Sequence, residues 1–257
     1  MIAPADLVVT DNCVWDVSAD EPLSTAIAQH VWPSISKDEV YHFTSAEAAE
    51  AIEKSGLFRL YNLERRHREN EIEAFCRAHG LDGYLASDAN GVPRYRRDIL
   101  PQMFYASFAS GDIDADSERT LWTNFGHSGG ARLKLRVSAR NPDFRRIYYP
   151  GTQPAIPLLR DLTALVEHTY RRRFILRGVS RLCAFYLPSE YGIENEKRVL
   201  FKKWDGIGPD VHSDGTWTYI DIPLGVDGPS GYKIELLEIQ SDRDLDLFDK
   251  SLLVRRS

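Results

Sequence analysis

The sequence predicts an α+β fold, and three observations carry that reading. A short apolar strand at Val40–Phe43 runs directly into a capped helix, and the last third of the chain is mostly β. No internal repeat, low-complexity tract or linker divides the chain. The 257 residues suffice for one large domain or two small ones. One domain over 1–257 is the economical reading, with 1–38 as an N-terminal extension packed on it. Apolar content of 43% with 27% charged residues describes an ordinary soluble globular chain.

The extension holds a strand at Leu7–Val9 and a stretch containing Trp15, Trp32 and Pro33, and nothing in it reads as catalytic. The stretch Val40–Ser45 delivers His42 at the end of its strand and turns into a helix, with Thr44 as N-cap and Glu47 at the capping-box spacing. Ala48, Ala49 and Ile52 form its apolar stripe, and Gly56 supplies the C′ residue. An imidazole and a hydroxyl beside a helix N-terminus suit a phosphate-bearing ligand. A short strand is expected at Leu57–Leu60 and a surface helix at 63–79, followed by a long loop at 80–101.

An aromatic-rich strand follows at Gln102–Ser110, and Ser117–Asn124 reads as one or two helical turns. Gly126, Gly129 and Gly130 lead into the alternating strand Ala131–Val137, with Leu133, Leu135 and Val137 on one face. A second amphipathic helix is expected at 155–173. Strands are expected at Leu182–Tyr186, Lys197–Phe201, Thr216–Ile222 and Tyr232–Ile239, then a short helix from Ser241 or Asp242.

No run approaches 18 apolar residues, and the N-terminus lacks the basic and apolar regions of a signal peptide. Cytoplasmic residence with no membrane partner is the expectation. The three cysteines, Cys13, Cys76 and Cys183, argue against a disulfide framework and a zinc site. A net charge of −6 argues against broad nucleic-acid binding. Positive charge is nonetheless clumped at Arg65–Arg68, Arg94–Arg97, Arg145–Arg146 and Arg171–Arg173, either as solvated faces or as a local phosphate patch.

Three stretches carry candidate chemistry: His42 with Thr44, Tyr105 with Ser107, and Glu194-Asn195-Glu196. In an extended chain Glu194 and Glu196 point to one face and repel unless a cation intervenes. Lys197 and Arg198 start on different faces. Each stretch also has a bland reading: a core histidine, an ordinary strand hydroxyl, a solvated charge-balanced strand start.

Their order adds to this. YHFTSAEAAEAIEKSGL resembles the first signature of the histidine class of ADP-ribosyltransferases, FYASFAS the middle one and ENEKRVLF the third. YHFTS, SFAS, LWTNFG with Gly129-Gly130, and ENEKR are also similar, in the same order, to an uncharacterised bacterial domain family. The resemblance covers roughly residues 40–203. It implies a split mixed β-sheet of ADP-ribosyltransferase type flanked by helices, with NAD as substrate rather than a bound metal.

The resemblance also assigns roles. His42 would bond the adenosine ribose of NAD, the Phe43 backbone would hold the nicotinamide amide, and Thr44 lines the same strand end. Tyr105, or Tyr41, would stack on the nicotinamide ring, and Ser107 would steady the catalytic Glu or the ribose. Glu196 would bond the ribose 2′-OH and stabilise the oxocarbenium-like transition state, with Glu194 orienting or deprotonating the acceptor. Glu194 is the alternative for the catalytic role. Phe43 stands where the family has Gly.

The activity implied is mono-ADP-ribosyl transfer to a protein or nucleic acid, or NAD hydrolysis, in a bacterial toxin, effector or phage-defence setting. Delivery into a target cell and an inhibitor or immunity protein belong to that setting. The reading from another class is a non-catalytic nucleotide- or nucleic-acid-binding module on the same scaffold. No Gly-rich phosphate loop or GxSxG elbow occurs, and His212-x-Asp214 and Cys76-x-x-His79 lack a third ligand.

Overall fold

Strict alternation of apolar and polar side chains makes Ala131–Ala139 a half-buried strand, with Leu133, Leu135 and Val137 inward and Arg132, Lys134 and Arg136 outward. The computed structural model describes residues 7–16, 22–65, 71–81, 84–126, 129–151, 153–203 and 208–241. Its strands are β1 (Leu7–Val9), β2 (Cys13–Asp16), β3 (Lys37–Thr44), β4 (Leu57–Asn62), β5 (Met103–Ser110), β6 (Ala131–Ala139), β7 (Phe144–Arg146), β8 (Arg173–Ile175), β9 (Glu196–Lys202), β10 (Val211–Ser213), β11 (Thr218–Pro223) and β12 (Tyr232–Ser241). Its helices are α1 (Pro22–Val31), α2 (Ala46–Ser55), α3 (Glu71–Ala78), α4 (Arg94–Asp98), α5 (Ala115–Leu121), α6 (Pro157–Tyr170) and α7 (Val179–Cys183).

These elements fall into two compact units, each interleaving three segments of chain. The first draws on residues up to Ser34, Asn62–Met103 and Arg145–Gly192, the second on Ile35–Tyr61, Phe104–Phe144 and Ile193 onward. In the first unit a small sheet runs β1-β2-β8, antiparallel and then parallel. What the sequence presents as an extension therefore contributes two strands and α1 to this unit. Arg145, expected in a surface cluster, is buried and donates to the carbonyls of Ala28 and Trp32.

The second unit is built on a sheet of order β10-β11-β4-β5-β3-β6-β12, with β9 also paired to β5. The pairs β10–β11, β11–β4, β3–β5, β3–β6 and β6–β12 are antiparallel, where a mixed sheet was expected. Of these pairs only β10–β11 is joined by a short reversal. Its turn closes on Asp214, whose carboxylate takes the N–H groups of Thr216 and Trp217. One face of the sheet holds the core, with Val40, Phe58, Phe104, Phe108, Leu133, Val199, Phe201 and Ile220 in one buried cluster under Ala49 and Ile52 of α2. Phe43, Ala109, Leu121 and Trp122 form a smaller cluster on the opposite side of β3 and β5.

Several local expectations shift. The run Leu182–Tyr186 is not a strand: α7 covers its start, because a short buried apolar run fits helix and strand patterns equally well. The expected helix 63–79 is α3 from Glu71, residues 66–70 lying outside the described residues. The loop 80–101 carries α4, and the expected C-terminal helix lies outside the described residues. Ser45, not Thr44, caps α2. Its hydroxyl accepts from Ala48 N–H at 3.2 Å, while Thr44 is still in the ladder opposite Ala131. Gly56 ends α2 at φ 65°, with its N–H on Ile52 C=O, the left-handed stop expected there.

Candidate active site on three strands

The β3–β6 ladder registers eight pairs, from Lys37 opposite Ser138 to Thr44 opposite Ala131. The β3–β5 ladder registers only two, Val40 with Ser110 and Tyr41 with Ala109. Just past that short ladder the His42 ring takes up the Ser107 main chain, its Nδ1 lying 3.0 Å from the Ser107 carbonyl oxygen. A carbonyl only accepts, so Nδ1 carries the proton. The ring is half-buried and meets Phe58 and Phe108 edge-on, at centroid distances of 5.2 and 6.0 Å.

Strand alternation sends the Phe108 ring into the main core and the Ser107 hydroxyl to the other face. There the hydroxyl donates to Oε1 of Glu196. The imidazole and the carboxylate therefore both hold Ser107, one through its main chain and one through its side chain. The same Oε1 accepts from Arg198 Nε at 2.9 Å, and the Arg198 guanidinium lies 5.0 Å over the Tyr105 ring. Glu196 is 3% exposed and Arg198 is 0% exposed. Between them Lys197 turns to the opposite face of β9, also buried, and pairs with Asp38 at 2.6 Å. Buried charge is costly unless paired, and here each buried charge meets its opposite.

Of the residues singled out from sequence, Tyr105, Ser107 and Glu196 thus share one face of the sheet, and His42 reaches the Ser107 main chain from the face that carries Phe58 and Phe108. Glu194 does not share a strand face with Glu196. It ends the 3₁₀ segment Ser189–Glu194, and Asn195 takes a left-handed conformation at φ 40°, so the alternation argued for an extended Glu-x-Glu does not apply. The face of Tyr105 toward β9 is occupied by Arg198, and the Tyr41 ring lies under Arg132 at 4.4 Å. One face of each ring is therefore taken by a guanidinium. The Phe43 side chain is buried edge-on to Trp122, with centroids 5.2 Å apart. Trp122 belongs to the LWTNFG stretch, a π-helical turn that packs against the strand carrying His42. A Cβ on Gly130 would stand 1.8 Å from the Gly126 carbonyl oxygen, so these two glycines make a backbone approach closed to other residues.

Arg198 was not assigned a role from sequence, although its place two residues after Glu196 on a strand put it on the same face. The N-terminus of α2, offered to a phosphate by the sequence, already holds Glu47. Its own backbone N–H and the Ser45 hydroxyl keep its carboxyl below the usual range. The outward row Arg132, Lys134 and Arg136 is neutralised by Glu118, Glu39 and Glu235. Arg136, and then Lys134, hold the Glu39 carboxyl low. Among the described residues no three His, Cys, Asp or Glu side chains gather to hold a metal, and no helix is long and apolar enough to cross a membrane. No protein-family model, curated protein or solved structure matches this chain.

Proposed function

We propose that this protein is an NAD-dependent mono-ADP-ribosyltransferase-like enzyme, with Glu196 as its catalytic carboxylate. The observation that carries the reading is the joining of His42 and Glu196 through Ser107, across 65 and 89 residues of sequence. That is the trio the motif order singles out, on three different strands. In the proposed reaction the bond from the ribose anomeric carbon to the nicotinamide nitrogen breaks, and its electron pair leaves with nicotinamide. Positive charge develops on the ribose, where a carboxylate bonded to the 2′-OH stabilises it more in the transition state than in the ground state. The acceptor then attacks the anomeric carbon and loses its proton, to Glu194 or to water. A macromolecular acceptor in a bacterial conflict setting, with a cognate inhibitor, is the biological form of the proposal.

The second reading is a non-catalytic nucleotide-binding module. It is favoured by the burial of Glu196 against Arg198 and by the covered Tyr105 face, features of a structural ion pair. Nicotinamide release from NAD separates the two, measured for the wild type and Glu196→Gln beside NAD binding and melting temperature. The enzyme reading expects release lost with binding and folding kept. NAD bound but not cleaved, with and without cell extract as acceptor source, selects the module. Absence of both binding and release removes both.

A further inference from the structure

Three consecutive charged residues, Glu196, Lys197 and Arg198, are buried in β9. A buried ion pair is seldom more stable than a well-packed apolar pair of the same volume, so core packing alone gives no reason for Arg198. Its geometry does. Arg198 Nε and the Ser107 hydroxyl both donate to Oε1 of Glu196, and a carboxylate oxygen offers two lone-pair directions. Both directions of Oε1 are thereby used, which holds the carboxylate plane and its rotamer. Tyr105 supports the guanidinium from below, so the donor is itself held in place.

Resting on the proposed function, we infer that Arg198 is the positioning residue of the site: together with Ser107 it clamps Oε1 of Glu196, and so fixes the plane in which the carboxylate meets the ribose 2′-OH. The arginine touches neither NAD nor the acceptor. It acts through Glu196, and Tyr105 serves as its platform rather than as a base-stacking residue. The Lys197–Asp38 pair on the other face of β9 provides the internal control, a part-buried ion pair between β9 and β3 with no part in holding the carboxylate.

Arg198→Met, Arg198→Lys and Lys197→Met are compared for nicotinamide release, NAD affinity and melting temperature. Arg198→Met is expected to lower kcat by about a hundredfold, the scale of losing one preorganised electrostatic contact, with NAD affinity within about threefold of wild type. Arg198→Lys, which keeps the charge without the fixed fork, recovers part of that loss. Lys197→Met lowers the melting temperature and leaves kcat in place. In a Glu196→Gln background Arg198→Met costs no further rate, because the group it positions is gone. An equal cost in both backgrounds, or wild-type kcat in a folded Arg198→Met protein, overturns the inference.

If Arg198→Met does not fold, Arg198→Lys and its cycle with Glu196→Gln give the same decision. Should the wild type release no nicotinamide, the proposed activity fails and the inference falls with it; release by the wild type with kcat unchanged in the Arg198 variant overturns the inference alone.

Discussion

Two histidines, one in each unit, make similar first contacts and have different parts to play. His79 of the first unit sits at the end of α3 and is 3% exposed, with Nδ1 2.7 Å from the Phe75 carbonyl one helical turn back. Its Nε2 accepts the N–H of Ile156, the residue that opens α6, at 2.7 Å. One nitrogen donates and the other accepts, so the ring is neutral and fully engaged, and burial pushes its pKa down to about 4. It is a bolt between two helices. His42 of the second unit reaches a carbonyl 65 residues away, stays half-buried, and shares its partner residue with a carboxylate. A satisfied histidine inside one unit reports stability; a histidine linked through Ser107 to a carboxylate on a third strand is the contact on which the proposed site rests.

The largest effect that tests this contrast is expected at Glu196. Glu196→Gln should slow nicotinamide release by about 10²–10³-fold, or about 3–4 kcal/mol of transition-state stabilisation. NAD affinity should hold. A fall in melting temperature with kcat unchanged would make Glu196 a structural group like His79.

Next comes His79 itself. The unfolded ring binds a proton below about pH 6.5 and the folded ring only below about 4, so the unfolded state holds more protons between those values. Stability is full above pH 6.5 and falls as pH drops to 4, by about 3 kcal/mol in all. Denaturant unfolding at pH 7, 5.5 and 4.5 reads that slope, and His79→Gln should flatten it. An equal slope in the variant would assign the acid sensitivity elsewhere.

His42→Ala should weaken NAD binding by about tenfold, near 1.4 kcal/mol, with less effect on melting than His79→Ala. Calorimetric titration with NAD beside thermal unfolding of both variants checks it, and the reverse ranking would dissolve the contrast. The smallest effect is at the helix behind His42. Ser45→Ala should cost about 1 kcal/mol of stability through the lost cap, while Thr44→Ala, outside the cap, should cost less. Equal costs would return the cap to Thr44.

Local patterns carried much of the fold. The two-residue period of β6, the stripe and terminal glycine of α2, and β9, β11 and β12 between turn residues were legible because each is set by neighbours in sequence. The failures have the same root. Leu182–Tyr186 fitted two patterns equally, and Ser45 rather than Thr44 became the cap because the β6 ladder extends β3 to Thr44. The left-handed turn at Asn195, which no alternation rule foresees, took Glu194 off the strand face of Glu196.

By itself, then, the sequence determined which side chains were available: an imidazole at a strand end, a hydroxyl on an aromatic strand, and a carboxylate opening a third. Tertiary structure alone decided that Ser107 joins the other two, that an arginine holds the carboxylate, and that Tyr105 is covered. Hydrogen bonds between strands 65 and 89 residues apart depend on ladder register and burial. Those are properties of the packed sheet, and no stretch of chain encodes them alone.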